Sequence, residues 1–323
     1  MKSLIVTGHL GFIGSAFCTL VAKDYRIIGV DYAGPGSMSE NLVPGVEDIR
    51  GDIADEPAME ALVRRVKPAA IVNFAAETHV DRSIVADFAF WQSNVLGARV
   101  LALQALKHRL RLVHVSTDEV YGDARDSGSA WTEDSPIAPR NPYAVTKGAA
   151  ELMLGSYFRA HGLDVVITRG ANTIGPRQFL EKAVPKAVSC FVSGKPFPLY
   201  RSPARRMWLY VDDHARAVLA ALERGRAGET YNIAPQPESE AYTHEVIERV
   251  RQIVGRGEIK LVEDRKAYDL RYWMSAAKAS RELECTPRVG LDQAIRTTVQ
   301  WYVDNPRWVA AARKAISSFA SSP

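Results

Sequence analysis

The tightest constraint on the fold lies in the opening stretch Leu4-Ile5-Val6-Thr7-Gly8-His9-Leu10-Gly11-Phe12-Ile13-Gly14: an apolar run, glycines at steps of three, then a helical pattern. A short apolar run without polar alternation suits a strand buried on both faces of a parallel sheet. Glycines at the turn let a pyrophosphate approach the backbone and rest on the N-terminus of the following helix. A second strand then ends at Asp31, seventeen residues beyond Gly14. A carboxylate there accepts from both ribose hydroxyls of an adenosine and repels a 2′-phosphate, which favours NAD over NADP. Gly51-Asp52-Ile53 closes a third strand, where an acid could meet adenine. Glycine turns alone are commonplace. Strand, loop, helix and acid in this order predict a dinucleotide site with Gly8, Gly11, Phe12, Ile13, Gly14, Asp31, Asp52 and Ile53 around it.

The alternation continues for about half the chain. Apolar runs predict strands at Leu4–Thr7, Arg26–Asp31, Asp48–Gly51, Ala70–Phe74, Leu112–Ser116 and Val165–Arg169, with helices near 11–23, 57–66, 86–108 and 142–161. Strand then helix, repeated, is the pattern of an α/β fold: a Rossmann-type doubly wound parallel sheet. Beyond about residue 175 Pro and Gly become frequent and the pattern loosens. The expected organisation is an NAD-binding domain over 1–170 and a smaller α/β substrate-binding lobe over 171–323, with segments near 207–234, such as E-T-Y-N-I-A at 229–234, returning to the main domain. With 323 residues, 47% hydrophobic and 24% charged, the chain can bury a full-sized core.

Charge excludes some partners. The net charge is +4, yet basic residues are scattered. Arg201, Arg205 and Arg206 form the densest group, which suits a bound anion rather than a nucleic-acid face. No apolar run approaches a membrane span, and Met1-Lys2-Ser3-Leu4 leads directly into a strand pattern. Cys18, Cys190 and Cys285 lie far apart, as buried thiols in a reducing cytoplasm do, and the seven dispersed histidines predict no metal site.

Two further stretches carry chemistry. N-P-Y-A-V-T-K at 141–147 starts a helix, with Pro142 suited to its first turn and Tyr143 and Lys147 on one face. An ammonium beside a phenol, with an oxidised nicotinamide near, stabilises phenolate, and the tyrosine can then take a proton from an alcohol. S-T-D-E-V-Y-G at 116–122 places Asp118 and Glu119 side by side where a buried strand ends, a costly position for carboxylates without a function.

Together T-G-x-x-G-F-I-G, S-T-D-E-V-Y-G and N-P-Y-x-x-x-K resemble the extended short-chain dehydrogenase/reductase superfamily, and within it the dTDP-glucose 4,6-dehydratase family. The blocks at 74–84, 172–182, 208–214 and 264–272 resemble that family too, so the similarity covers nearly the whole chain. The adjacent Asp-Glu pair is the discriminating feature, since epimerase relatives lack it. The resemblance implies a tightly bound NAD recycled in each turnover. It assigns Tyr143, tuned by Lys147, to deprotonation of the sugar 4-hydroxyl during hydride loss from C4, and Thr117 to a bond with the 4-oxygen. Glu119 would remove the C5 proton that the 4-keto group acidifies, and Asp118 would protonate the departing C6 hydroxyl. Hydride return to C6 then gives a 4-keto-6-deoxy sugar. Ala75, Ala76, Glu77, Thr78 and Ser93 resemble cofactor-lining positions. His79, Asn172, Glu181, Lys182, Pro198, Tyr200, Arg206 and Tyr268 resemble positions around the nucleotide-diphosphate hexose. Relatives commonly pair as homodimers through a four-helix bundle, here the 86–108 and 142–161 patterns.

The departures from that pattern cluster where the nucleotide should sit. R-S-P-A-R-R-M-W at 201–208 is short and basic, with Met207 in place of an aspartate; Tyr268 replaces a histidine; Ala241 falls near an expected asparagine; N-T-I stands at 172–174. The segment from Asp31 to Asp52 is short, and His9 and Leu10 replace small residues in the glycine loop. The expected activity is therefore a nucleotide-sugar 4,6-dehydratase with dTDP-glucose as default substrate and an altered nucleotide pocket. An epimerase, or an NAD-binding sensor without turnover, are the alternatives.

Overall fold

The apolar runs form the middle of a parallel sheet in the computed structural model, which describes residues 1–34 and 36–320. The strands are β1 (Lys2–Thr7), β2 (Tyr25–Asp31), β3 (Glu47–Arg50), β4 (Ala70–Asn73), β5 (Arg111–Thr117) and β6 (Val165–Gly170), within about two residues of each expected run. Further along come β7 (Asn172–Ile174), β8 (Phe197–Tyr200), β9 (Arg205–Tyr210), β10 (Thr230–Ile233), β11 (Glu240–Tyr242) and β12 (Ile259–Val262). The large sheet runs β10-β6-β5-β4-β1-β2-β3, with every neighbouring pair parallel.

The side-chain period of two sorts the core onto both faces of this sheet. Leu4, Val6, Val72, Val113 and Val166 face one layer with Phe17 and Tyr231. Ile5, Ile28, Ile71, Leu112 and Ile167 face the other with Met59, Leu101 and Leu154. Strand order reverses between β1 and β4, which leaves a crevice outside their C-terminal ends, the place where such sheets bind ligands. The chain re-enters the large sheet through the helix Val211–Arg224, packed on the helix Phe12–Val21, and through β10, paired with β6.

A smaller unit closes the crevice from above. Its three-stranded sheet runs β11-β9-β7, beside the parallel pair β12-β8. Its core gathers Ile174, Phe191, Phe197, Trp208, Val246, Ile295 and Tyr302 under the helices Ala183–Val192, Thr243–Val254 and Leu291–Asp304.

The expected continuous helix over 86–108 is a composite. A short helix Val80–Val85 precedes it, and a π-helical turn at Trp91–Gly97 leads into Ala98–His108. The widened turn carries Asn94, which accepts from Glu77 N at 2.8 Å and donates to Glu77 O at 3.0 Å and to Thr146 Oγ1 at 2.9 Å. A π-turn adds one residue to the helical ladder within an apolar stretch, a feature that the sequence pattern does not announce. Among the described residues no helix is long and apolar enough to cross a membrane.

Candidate active site

The crevice holds a cavity of about 280 Å³ lined by Gly8, Gly11, Phe12, Ile13, Gly14, Asp31, Asp52, Ile53, Ala75, Ala76, Glu77, Thr78, Ser93, Tyr143 and Lys147. These are all the positions expected around a dinucleotide. The glycine loop fits such a ligand for a steric reason. Gly8 sits at φ +70°, and a Cβ there would stand 2.6 Å from Ala75 N; one on Gly14 would stand 2.2 Å from Gly8 O. The bare backbone packs to the floor of the cavity, and the helix N-terminus behind it faces in. Asp31 is buried at the end of β2 and accepts from Ala33 N at 2.8 Å and Ser37 Oγ at 2.7 Å.

His9 and Leu10, unusual for this loop, turn away from the cavity. Leu10 is fully buried, and the His9 ring lies where a Cβ of Gly29 would be, 3.1 Å from Asp48. The glycine in β2 provides that space. Sequence reading missed several liners, among them Tyr32, Gln178 and His214. Tyr32 follows Asp31 directly and donates to Glu77 across the cavity rim, a contact between segments distant in sequence.

The end of β5 supplies the charged groups. Thr117, Asp118 and Glu119 line the same cavity as Tyr143 and Lys147. Thr117 caps a 3₁₀ turn by accepting from Glu119 N at 3.3 Å, which swings the two carboxyls apart. Asp118 is buried, takes one bond from Thr117 Oγ1 at 3.2 Å, and leaves Oδ2 without a partner. Burial first, and the Glu119 charge second, push its carboxyl up to about 7. Glu119 Oε2 instead accepts from Asn141 Nδ2 at 2.9 Å and Tyr272 Oη at 3.2 Å, so its other oxygen is left toward the cavity. One carboxyl is therefore dry and proton-retaining, and its neighbour is solvated by donors. Such a pair can divide into acid and base. Asn141, missed by sequence reading, also caps the Tyr143 helix by accepting from Ala144 N at 2.9 Å.

Lys147 is buried, donates to Val115 O at 2.7 Å, and is pushed down to about 8 by desolvation. Burial and the Glu119 charge push the Tyr143 phenol above its ordinary range, while a hydrogen bond with Thr117 works the other way. Within the protein, then, Lys147 does not lower the phenol by itself. An oxidised nicotinamide, when bound nearby, would supply further positive charge.

A second cavity of about 590 Å³ opens outward, sharing Glu119, Asn172 and Lys182 with the first. His79, Glu181, Pro198, Tyr200, Arg206 and Tyr268 line it, as expected for substrate positions. Several of the expected substrate positions are already engaged by the protein. His79 accepts from Arg82 N at 3.2 Å as a helix cap and faces Glu181 at 3.4 Å, while Lys182 donates to Thr78 O at 2.8 Å. The basic group expected at 201–206 splits by strand alternation. In β9, Arg206 and Trp208 face the cavity, whereas Met207 faces the core of the large sheet. Arg201 pairs with Glu263 and Arg205 with Glu240, both outside the cavity lining. Ala241 is buried in the smaller core and does not line the cavity. Of the departures noted above, Met207 and Ala241 therefore do not touch this pocket, whereas Tyr268 does. Its ring meets Tyr200 edge-on at 4.9 Å between centroids, with the Arg265 and Arg206 guanidiniums 5.4 and 5.7 Å away. Arg265, also missed, adds a cation to Arg206, Lys182 and Lys186 around a space suited to a diphosphate. Among the described residues no cluster of His, Cys, Asp and Glu could hold a metal ion.

Comparison with known proteins agrees with this geometry. Residues 4–234 match the NAD dependent epimerase/dehydratase family. A dTDP-glucose 4,6-dehydratase of an Actinoplanes species is 42% identical over 322 residues, covering 94% of this chain and 99% of that one. Another from Streptomyces antibioticus is 40% identical and covers 99% and 98%. The crystal structure of DesIV, a dTDP-glucose 4,6-dehydratase from Streptomyces venezuelae with NAD and TYD bound, superposes with a TM-score of 0.89 at 39% identity, covering 95% and 98%. A UDP-glucose 4-epimerase from Thermotoga maritima reaches the same TM-score at only 26% identity, covering 94% and 99%. The shared fold thus extends to epimerases, while the higher identities belong to dehydratases. The chain belongs to the NAD dependent epimerase/dehydratase family, and within it to the dTDP-glucose 4,6-dehydratases.

Proposed function

We propose that this protein is an NAD-dependent lyase that converts a nucleoside diphosphate hexose, dTDP-glucose first, into its 4-keto-6-deoxy derivative by internal dehydration. The observation that carries this reading is the unequal pair at the end of β5: Asp118 dry with its carboxyl near 7, Glu119 held by two donors, both facing one cavity with Tyr143. The glycine loop and Asp31 would hold NAD, which would supply a hydride acceptor for C4 and the hydride for C6 and so be recycled.

The chain's own residues move the protons. Tyr143 takes the proton of the 4-hydroxyl, with Thr117 beside it and the Lys147 cation behind. The resulting 4-keto group acidifies the C5 hydrogen, which passes to Glu119. The C6–O bond then breaks as Asp118 gives its proton to the departing oxygen, and water leaves. Glu119 later hands its proton back to C5, Tyr143 releases its proton to solvent, and Asp118 regains one from solvent. Lys182, Lys186, Arg206 and Arg265 would hold the diphosphate, with the Tyr200–Tyr268 pair beside it.

The free thiols of Cys18, Cys190 and Cys285 support a reading of the protein as cytoplasmic. A homodimer is supported by apolar side chains left exposed on adjoining helices: Val85, Phe88 and Trp91, with Val145 and Leu152 opposite. A charge at Leu152 should then shift the elution volume to that of a monomer.

The test is incubation with dTDP-glucose, UDP-glucose, CDP-glucose and GDP-mannose, followed by mass spectrometry of the sugar nucleotides. Loss of one water from dTDP-glucose, with a C4 ketone, is expected. A C4 epimer without loss of water, or no product from any of the four, would overturn the reading.

A further inference from the structure

Tyr272 stands between two carboxylates and has one proton to give. Its hydroxyl lies 2.7 Å from Asp269 Oδ2 and 3.2 Å from Glu119 Oε2. Were both carboxyls ionised, the hydroxyl could donate to only one, and the other would face an oxygen lone pair beside a buried phenol. The surroundings decide which carboxyl keeps a proton. Asp269 is fully buried and its Oδ1 makes no hydrogen bond. The nearest cation, Arg140, lies 3.4 Å from that oxygen, is half-exposed, and is closer to Asp123 at 3.1 Å. Arg206 gives its N–H groups to the main-chain carbonyls of Arg205 and Asp269 and lays its guanidinium 4.2 Å from the Tyr272 ring centre. Glu119, by contrast, has Asn141 as a second donor and faces the cavity.

We propose that Asp269 carries a proton and donates it to the Tyr272 oxygen, so that the Tyr272 hydroxyl points at Glu119, making Tyr272 and Asp269 positioning residues for proton removal at C5. This rests on the reading of Glu119 as the C5 base. Burial supports it by pushing both the Asp269 carboxyl and the Tyr272 phenol upward, which keeps each neutral. A donor fixed on Oε2 holds the carboxylate plane and keeps the other oxygen of Glu119 aimed at substrate. The C5–H bond breaks, its proton goes to Glu119, and the electron pair is held by the 4-keto group as an enolate.

The test separates C4 oxidation from C5 exchange, using NAD-loaded enzyme and dTDP-glucose in deuterium oxide. NADH formed in a single turnover reports the first step, and deuterium at C5 reports the second. Tyr272→Phe should lower C5 exchange by about tenfold to a hundredfold, the worth of a hydrogen bond to a charged group, with C4 oxidation within about twofold. Asp269→Ala should do the same. Asp269→Asn, whose amide can donate to Tyr272 as the protonated acid does, should recover most of that loss. Infrared difference spectra of wild type minus Asp269→Asn at neutral pH, which need no substrate, should contain a protonated-carboxyl band. A carboxylate band there, or Asp269→Asn as impaired in exchange as Asp269→Ala, would overturn the proposal. So would unaltered exchange in Tyr272→Phe. Failure of wild type to oxidise dTDP-glucose at C4 would instead count against the proposed function, and the infrared result would still decide the protonation of Asp269.

Discussion

The inner cavity and the outer cavity of this protein are built by different means. Around Asp118 and Tyr143 the groups are short or buried, and each hangs on main chain. Thr117 caps its own turn, Asn141 caps a helix while holding Glu119, and Lys147 grips Val115 O. Around the proposed diphosphate space the groups are long, come from a strand, a helix and a loop (Arg206, Lys186 and Arg265), and reach toward the surface. Arg265 faces Asp81 at 3.4 Å, Tyr200 reaches Asp81 at 3.5 Å, and Lys186 is exposed. Geometry near the reaction is set by secondary structure, and geometry near the nucleotide by side chains. Substitution should therefore affect rate at one end and affinity at the other.

The largest effect falls on the inner end. Tyr143→Phe should abolish C4 oxidation, by about a thousandfold or more, because it removes the group assigned to take the hydroxyl proton. Formation of NADH in a single turnover checks it; persistence of that signal would return the base role to another residue. The next effect concerns stability. The Asp118 carboxyl is raised to about 7 in the folded chain, so its contribution is present at low pH and is lost as pH rises through that value. Asp118→Asn should then raise the melting temperature more at pH 8 than at pH 5. An equal gain at both would show that the carboxyl is not perturbed.

At the outer end, Arg265→Ala should raise KM for the sugar nucleotide by about tenfold with kcat little changed, the pattern of a binding contact. A loss confined to kcat would move Arg265 out of the binding set. The smallest effect is expected at Arg201, whose pair with Glu263 is solvent-exposed. Arg201→Ala should change KM by less than about twofold, as surface ion pairs contribute little. A larger change would mean that the loop at 201–206 closes over substrate.

The same contrast explains what could be read from the sequence. The six strands, and the places of the glycine loop with Asp31 and of the Asp118-Glu119 and Tyr143-Lys147 pairs around one cavity, were legible because each is local, set by spacing along one strand or helix turn, whereas the roles of the two carboxyls came from the family resemblance. Asn141, Asn94 and Tyr272 were not, since each acts by touching a residue far away in the chain, Asn94 from a π-turn that the pattern hides. The basic run at 201–206 misled for a related reason. Adjacent residues of a strand face opposite ways, so Arg206 alone reaches the cavity and Met207 fills the core.

The central claim is the division of labour between Asp118 and Glu119. Its most direct test is deuterium at C5 and loss of water, followed by mass spectrometry on dTDP-glucose in deuterium oxide, with Asp118→Asn and Glu119→Gln compared. The account predicts that Asp118→Asn oxidises C4 and exchanges C5 but releases water at least about a hundredfold more slowly, and that Glu119→Gln oxidises C4 without exchange. Undiminished exchange in Glu119→Gln, or water loss at the wild-type rate in Asp118→Asn, would contradict it.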